Sequence, residues 1–197
     1  MGHAALKPWT EHDYLRHEAA ARQRHELVHG SLYAMAGASE RHNTIALNIA
    51  ARLHAARRGG PCRPFIGDMK LRLDSGSLYY YPDVMLVCSP QDDAPLVKTA
   101  PCLVAEVTSP STEVTDRREK LAAYLKLASL REYLIVSHTA PRIDVYQRPG
   151  PIGEPWQHAV LGAGESVALL CLPLTLAVDE VYADVDFGAP QAGEATR

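Results

Sequence analysis

An apolar run from Pro101 to Thr108, Pro101-Cys-Leu-Val-Ala-Glu106-Val-Thr108, carries one carboxylate, Glu106, in a stretch that otherwise reads as a buried strand. Burying a charge costs free energy unless it is paired or holds a metal. A second acid sits upstream in a similar setting, Asp83 in Tyr79-Tyr-Tyr-Pro-Asp83-Val-Met-Leu-Val87. Two acids on neighbouring core strands with a lysine nearby are the parts of a metal-dependent phosphodiesterase site. Any fold for this chain has to accommodate them.

The length of 197 residues suits one folded domain, expected over 1–187, followed by a flexible tail over 188–197 rich in Ala, Gly and Pro. Apolar residues make up 47% and charged residues 22%, the balance of a soluble globular protein. A net charge of −3 gives no global positive field to attract nucleic acid. Local clusters must serve instead: Arg22 with Arg24, Arg57 and Arg58 with Arg63, and Arg117 and Arg118 with Lys120. No apolar run approaches the roughly 20 residues that span a bilayer, and no signal-peptide pattern opens the chain. Cys62, Cys88, Cys102 and Cys171 are scattered without a C-x-x-C pair and read mostly as small buried hydrophobes. A cytoplasmic, reducing setting with no membrane contact is the expectation.

Thr10, with Glu11 and Asp13 behind it, starts a helix ending near Arg22 or Arg24. His25-Glu26-Leu-Val-His29 matches the H-E-x-x-H zinc-peptidase pattern, which requires both histidines on one helical face. Gly30 and the strand-like residues after it favour a hairpin turning at His29-Gly30, in which the histidines do not pair. A helix from Glu40 to about Arg58 has Ile45, Ile49 and Leu53 on one stripe, with His42 on the same stripe. Strands are expected over Cys62–Leu73, Leu78–Cys88, Leu103–Thr108, Tyr133–Val136 and Arg142–Arg148. Pro82 forces an edge or an irregularity beside Asp83. Asp116 and Glu119 open a helix running to about Ala128, with Lys120 and Tyr124 one turn apart. Short strands fill the remainder, with a helical turn at 179–182.

Phosphodiester hydrolysis needs a metal, an activated water and a cation near the developing charge. Mg2+ takes oxygen ligands, one or two of them carboxylates. Asp83 and Glu106 would supply these, and Lys120 or Lys70 the cation.

Several short motifs in order resemble the Uma-type restriction endonucleases, within the PD-(D/E)XK nuclease superfamily, from about Tyr14 to Tyr182. They are Glu26-Leu-Val-His-Gly30, His42, Tyr81-Pro-Asp83-Val, and Ala105-Glu106-Val-Thr-Ser-Pro-Ser-Thr112 followed by Asp116, Lys120 and Tyr124. The resemblance implies an α/β or α+β fold with a mixed central sheet flanked by helices. It implies a Mg2+- or Mn2+-dependent DNA endonuclease with Asp83 and Glu106 as metal ligands, Lys120 and Glu26 completing the catalytic set, and His42, Asp116 and Tyr124 in support. The superfamily lysine normally stands two residues after the second acid, where this chain has Thr108. The resemblance therefore implies a lysine moved to the next helix, Lys120 first and Lys70 second. A homodimer suits cutting of two antiparallel strands. The competing reading is a module of the same fold that binds nucleic acid or a protein without catalysis.

Overall fold

The computed structural model describes residues 7–108 and 116–188. In chain order it contains α1 (Glu11–Ala20), β1 (His25–Val28), β2 (Ser31–Ala34), α2 (Glu40–Ala56), β3 (Arg63–Ile66), β4 (Lys70–Leu73), a 3-10 turn (Asp74–Gly76), β5 (Leu78–Tyr80), β6 (Val84–Val87), β7 (Val97–Lys98) and β8 (Pro101–Val107). A π-helical turn (Asp116–Lys120) then runs into α3 (Leu121–Tyr124), followed by β9 (Glu132–Val136), β10 (Arg142–Gln147), β11 (Gln157–Gly162), β12 (Ser166–Ala168), β13 (Thr175–Ala177) and α4 (Val178–Val181).

Two of the strands expected from sequence are each broken in two, and at the same corner. The stretch 62–73 bends at Gly67, whose φ of 55° favours glycine. The stretch 78–88 breaks at Pro82, which has no amide hydrogen to give to a ladder. The two breaks meet, because the Gly67 amide donates to the Asp83 carbonyl at 3.1 Å. As a result β3 and β6 pair in a six-stranded sheet of order β11-β10-β9-β8-β6-β3, while β4 and β5 belong to a five-stranded sheet of order β2-β1-β5-β4-β7. β8 and β9 run parallel, as do β4 and β7, and the other pairs are antiparallel, so both sheets are mixed.

Alternation along the strands sorts side chains into separate cores. On one face of the six-stranded sheet, Val84, Leu86, Leu103, Ala105, Val107, Leu134 and Val136 pack under the α2 stripe of Ile45, Ile49 and Leu53. The other face, with Met85, Val87, Val104, Tyr133 and Ile135, packs against Leu71, Leu73, Leu78 and Tyr80 of the five-stranded sheet, with Tyr124 closing the space. Tyr14 of α1 covers the outer face of the five-stranded sheet through Leu27 and Tyr79. Thr10 caps α1 as the sequence suggests, its hydroxyl accepting from the Asp13 amide at 3.1 Å, and Ser39 caps α2 by accepting from the His42 amide at 3.3 Å.

Two expectations are corrected. The helix expected to reach Ala128 ends at Tyr124, where bonds such as Leu127 N–H to Tyr124 O, 2.9 Å, tighten the coil into turns. The cysteines are not separate hydrophobes, for Cys62 pairs with Cys88 and Cys102 with Cys171. Cys62 precedes β3 and Cys88 follows β6, and since Arg63 lies opposite Val87 that register brings the two together. Beyond Gly188 the expected tail lies outside the described residues.

Ile49 is fully buried between α2 and the six-stranded sheet. Ile49→Ala is therefore expected to lower unfolding stability by about 2–5 kcal/mol, measured by urea denaturation.

Candidate active site

Register fixes the two acids that the sequence singles out. In the β6–β8 pair Val84 stands opposite Ala105, so Asp83, one step outside β6, reaches Glu106 on the same face. The Asp83 amide donates to Glu106 Oε2 at 3.4 Å, and the Val107 amide donates to Asp83 Oδ2 at 2.7 Å. Glu106 is buried at 3% exposure, whereas the Asp83 side chain is 21% exposed at the corner. One acid lies inside and its neighbour meets solvent.

Two further elements complete the cluster. The hairpin β1–β2 turns at His29 and Gly30, both with positive φ, which leaves β1 extended. His25 and Glu26 therefore point to opposite faces of the strand. Glu26 faces the space between the sheets, and Lys120 comes down from the π-helical turn to meet it. Lys120 Nζ lies 3.0 Å from Glu26 Oε1 and 3.3 Å from Glu106 Oε1, and 5.4 Å from the centre of the Tyr80 ring. Tyr124, one turn on, donates its hydroxyl to Glu106 Oε1 at 2.8 Å. Burial above all, and then the Glu106 carboxylate, pushes the Tyr124 phenol well above its ordinary range. Tyr80 is raised by burial and by its hydrogen bond to Glu119. Both phenols thus stay protonated near neutral pH and act as donors.

His42, at the start of α2, places Nε2 3.2 Å from Asp83 Oδ2. Thr108 is buried and bonded to Val136 O through its amide at 2.8 Å, so it fills the usual lysine position without offering a charge. Lys70 is not brought to this cluster. Its Nζ lies 5.6 Å from the centre of the Tyr81 ring, and desolvation lowers its pKa. Asp116 belongs to the π-helical turn, but its side chain lies outside the described residues, as do Ser109 to Thr112. Tyr80 was not singled out by the sequence. It is one of three consecutive tyrosines, and only the pairing of Val28 with Leu78 shows which of them faces Glu26.

The zinc-peptidase reading fails on geometry. His25 to Val28 form a strand and His29 occupies a turn, so the shared helical face that H-E-x-x-H requires does not exist.

Lys120 and Glu106 are both nearly buried, so removing one partner strands the charge of the other. Lys120→Met is expected to cost about 3–5 kcal/mol of stability, and Glu106→Gln added to it should restore part of that loss. A double-mutant cycle by urea denaturation measures the coupling.

Comparison with known proteins places the chain in a group. The family Uma2, described as "Putative restriction endonuclease", matches residues 11–179. An uncharacterized protein of Synechocystis sp. is 35% identical over 191 residues, covering 95% of this chain and 100% of its own. A second uncharacterized Synechocystis protein is 31% identical over 150 residues, covering 75% of this chain and 85% of its own. A crystal structure from Anabaena variabilis, described as "a putative nuclease belonging to DUF820", superposes with a TM-score of 0.69 at 15% identity, covering 89% of this chain and 98% of that one. That likeness speaks for the fold, which is restriction-endonuclease-like. With the family match running from the first helix to the last, this chain belongs to the Uma2 family.

Proposed function

We propose that this chain is a Mg2+- or Mn2+-dependent endonuclease that hydrolyses phosphodiester bonds of DNA. The observation that carries the reading is the convergence of Glu26, Asp83, Glu106 and Lys120 from four separate elements, with Lys120 Nζ within 3.3 Å of two of the acids. The donor set fits a hard divalent cation: two opposed carboxylates, one buried and one at the surface, offer oxygen ligands from the Asp83–Glu106 pair. A bound Mg2+ or Mn2+ would supply neutralisation of phosphate charge there.

The chain's own residues have distinct work. Asp83 is held by His42 and by the Val107 amide, which leaves its carboxylate oriented toward the corner. The Lys120 ammonium, fixed by Glu26 and Glu106, can donate a hydrogen bond that orients the attacking water or that stabilises a phosphoryl oxygen as negative charge grows. Tyr124 keeps Glu106 in one rotamer by donating to Oε1. In the reaction the attacking water gives up a proton to solvent, its oxygen bonds to phosphorus, the bridging P–O bond breaks, and the departing oxygen takes a proton from solvent.

A cytoplasmic site of action remains part of the proposal, although the Cys62–Cys88 and Cys102–Cys171 pairs run against the reducing setting expected from the sequence, and a homodimer would present two such sites to two antiparallel strands. No helix among the described residues is long and apolar enough to cross a membrane.

Cleavage of plasmid and short duplex DNA by the purified chain with Mg2+ or Mn2+ tests the proposal. Asp83→Asn, Glu106→Gln and Lys120→Met are each expected to lower the rate at least about a hundredfold, and a chelator to abolish it. A folded wild type that binds DNA without cutting it would favour the non-catalytic module. Cutting that survives Glu106→Gln would place the chemistry elsewhere.

A further inference from the structure

Behind β1, on the face opposite Glu26, lies a further group of side chains of the types that ligate metals. Glu18 of α1 is fully buried. Its Oε1 accepts from the His25 amide at 3.1 Å and from the Tyr81 hydroxyl at 2.8 Å, while Oε2 lies 3.2 Å from His25 Nδ1. His17, the preceding residue of α1, is exposed, and its ring centre is 5.1 Å from that of His25 and 5.1 Å from that of Trp9. One ligand atom from each of His17, Glu18 and His25 falls within 4.8 Å of the other two.

We propose that His17, Glu18 and His25 form a Zn2+ site separate from the Asp83–Glu106 pair. Two imidazole nitrogens with one carboxylate oxygen is a borderline-soft donor set that suits Zn2+ and disfavours Mg2+. In a tetrahedral site with bonds of about 2.0–2.1 Å, neighbouring ligand atoms stand roughly 3.3 Å apart. His25 Nδ1 and Glu18 Oε2, at 3.2 Å, already have that spacing. The third ligand would come from the exposed His17 ring, whose ligand atom falls within 4.8 Å of the other two, and a water would take the fourth position. The two bonds to Glu18 Oε1, from the His25 backbone amide and from the Tyr81 hydroxyl, supply the outer support that fixes a ligating carboxylate, and Tyr81 lies outside the ligand set.

The site accounts for a carboxylate that is otherwise expensive. Among the described residues His25 places a cationisable side chain 3.2 Å from the buried Glu18, and a divalent ion between them would offset the desolvation more strongly than one shared proton. It would also join α1 to β1 at the residue before Glu26, so occupancy would stiffen the strand that helps to hold Lys120. His25 thus belongs to a zinc motif, but with partners seven and eight residues upstream rather than four downstream.

The inference stands apart from the nuclease reading, and its test keeps the two distinct. Metal-stripped full-length protein is titrated with Zn2+ by calorimetry, and with Co2+ while the visible spectrum is followed. Wild type should bind one equivalent with a tetrahedral Co2+ spectrum and a raised melting temperature. His17→Ala changes an exposed residue, so its metal-free melting temperature should match wild type while Zn2+ affinity falls about tenfold or more. His25→Gln should lose binding as well, and Glu106→Gln should keep it. Absence of Zn2+ binding, binding indifferent to both His17→Ala and His25→Gln, or binding lost in Glu106→Gln instead would overturn the proposal.

Discussion

The Lys120 ammonium, held between Glu26 and Glu106, is the contact on which the rest of the structure turns. It joins β1 of one sheet to β8 of the other, and its own backbone belongs to the π-helical turn before α3. Each of these charges pays a desolvation penalty that mutual attraction only partly repays. A cluster of apolar side chains would fill the same volume at less cost. Buried acids around a lysine are therefore better understood as machinery than as a source of stability.

That machinery depends on a corner. Gly67 and Pro82 turn two adjacent chain segments from one sheet into the other at the same point, and Asp83 sits just past the turn. The Gly67 amide takes the Asp83 carbonyl, the Val107 amide and His42 take its carboxylate, and the adjoining β3–β6 pair is bracketed at its far end by Cys62 and Cys88. A side chain that must meet both solvent and a buried partner is well placed where two sheets part.

Much of the site could be read from the sequence because buried charge is conspicuous in an apolar run. Asp83 and Glu106 stand out for that reason, and the hairpin at His29–Gly30 was legible because a glycine follows His29 and strand-like residues come after it; both turn residues adopt positive φ. Lys120 was harder, since it lies in a charged stretch that on its own resembles a solvated helix face; the structure buries it. Lys70 alternates on a strand as plausibly as Lys120 does on a helix, and only tertiary placement separates them. The irregularity at Pro82 was legible from its missing amide hydrogen, but the break at Gly67 was not, because the polar-apolar period continues across it while the sheet changes. The cysteine pairs and the Glu18–His25 contact were hidden for a related reason: each depends on register between elements, which spacing along the chain does not encode.

The most direct test of the central claim is Mn2+ binding followed by electron paramagnetic resonance, on wild type and on Asp83→Asn and Glu106→Gln proteins whose folding has been checked. If the buried cluster is a cation site for phosphodiester chemistry, wild type should bind Mn2+, and each substitution should weaken that binding at least about tenfold. Mn2+ binding that is absent in wild type, or unchanged when Asp83 and Glu106 lose their charge, would contradict it.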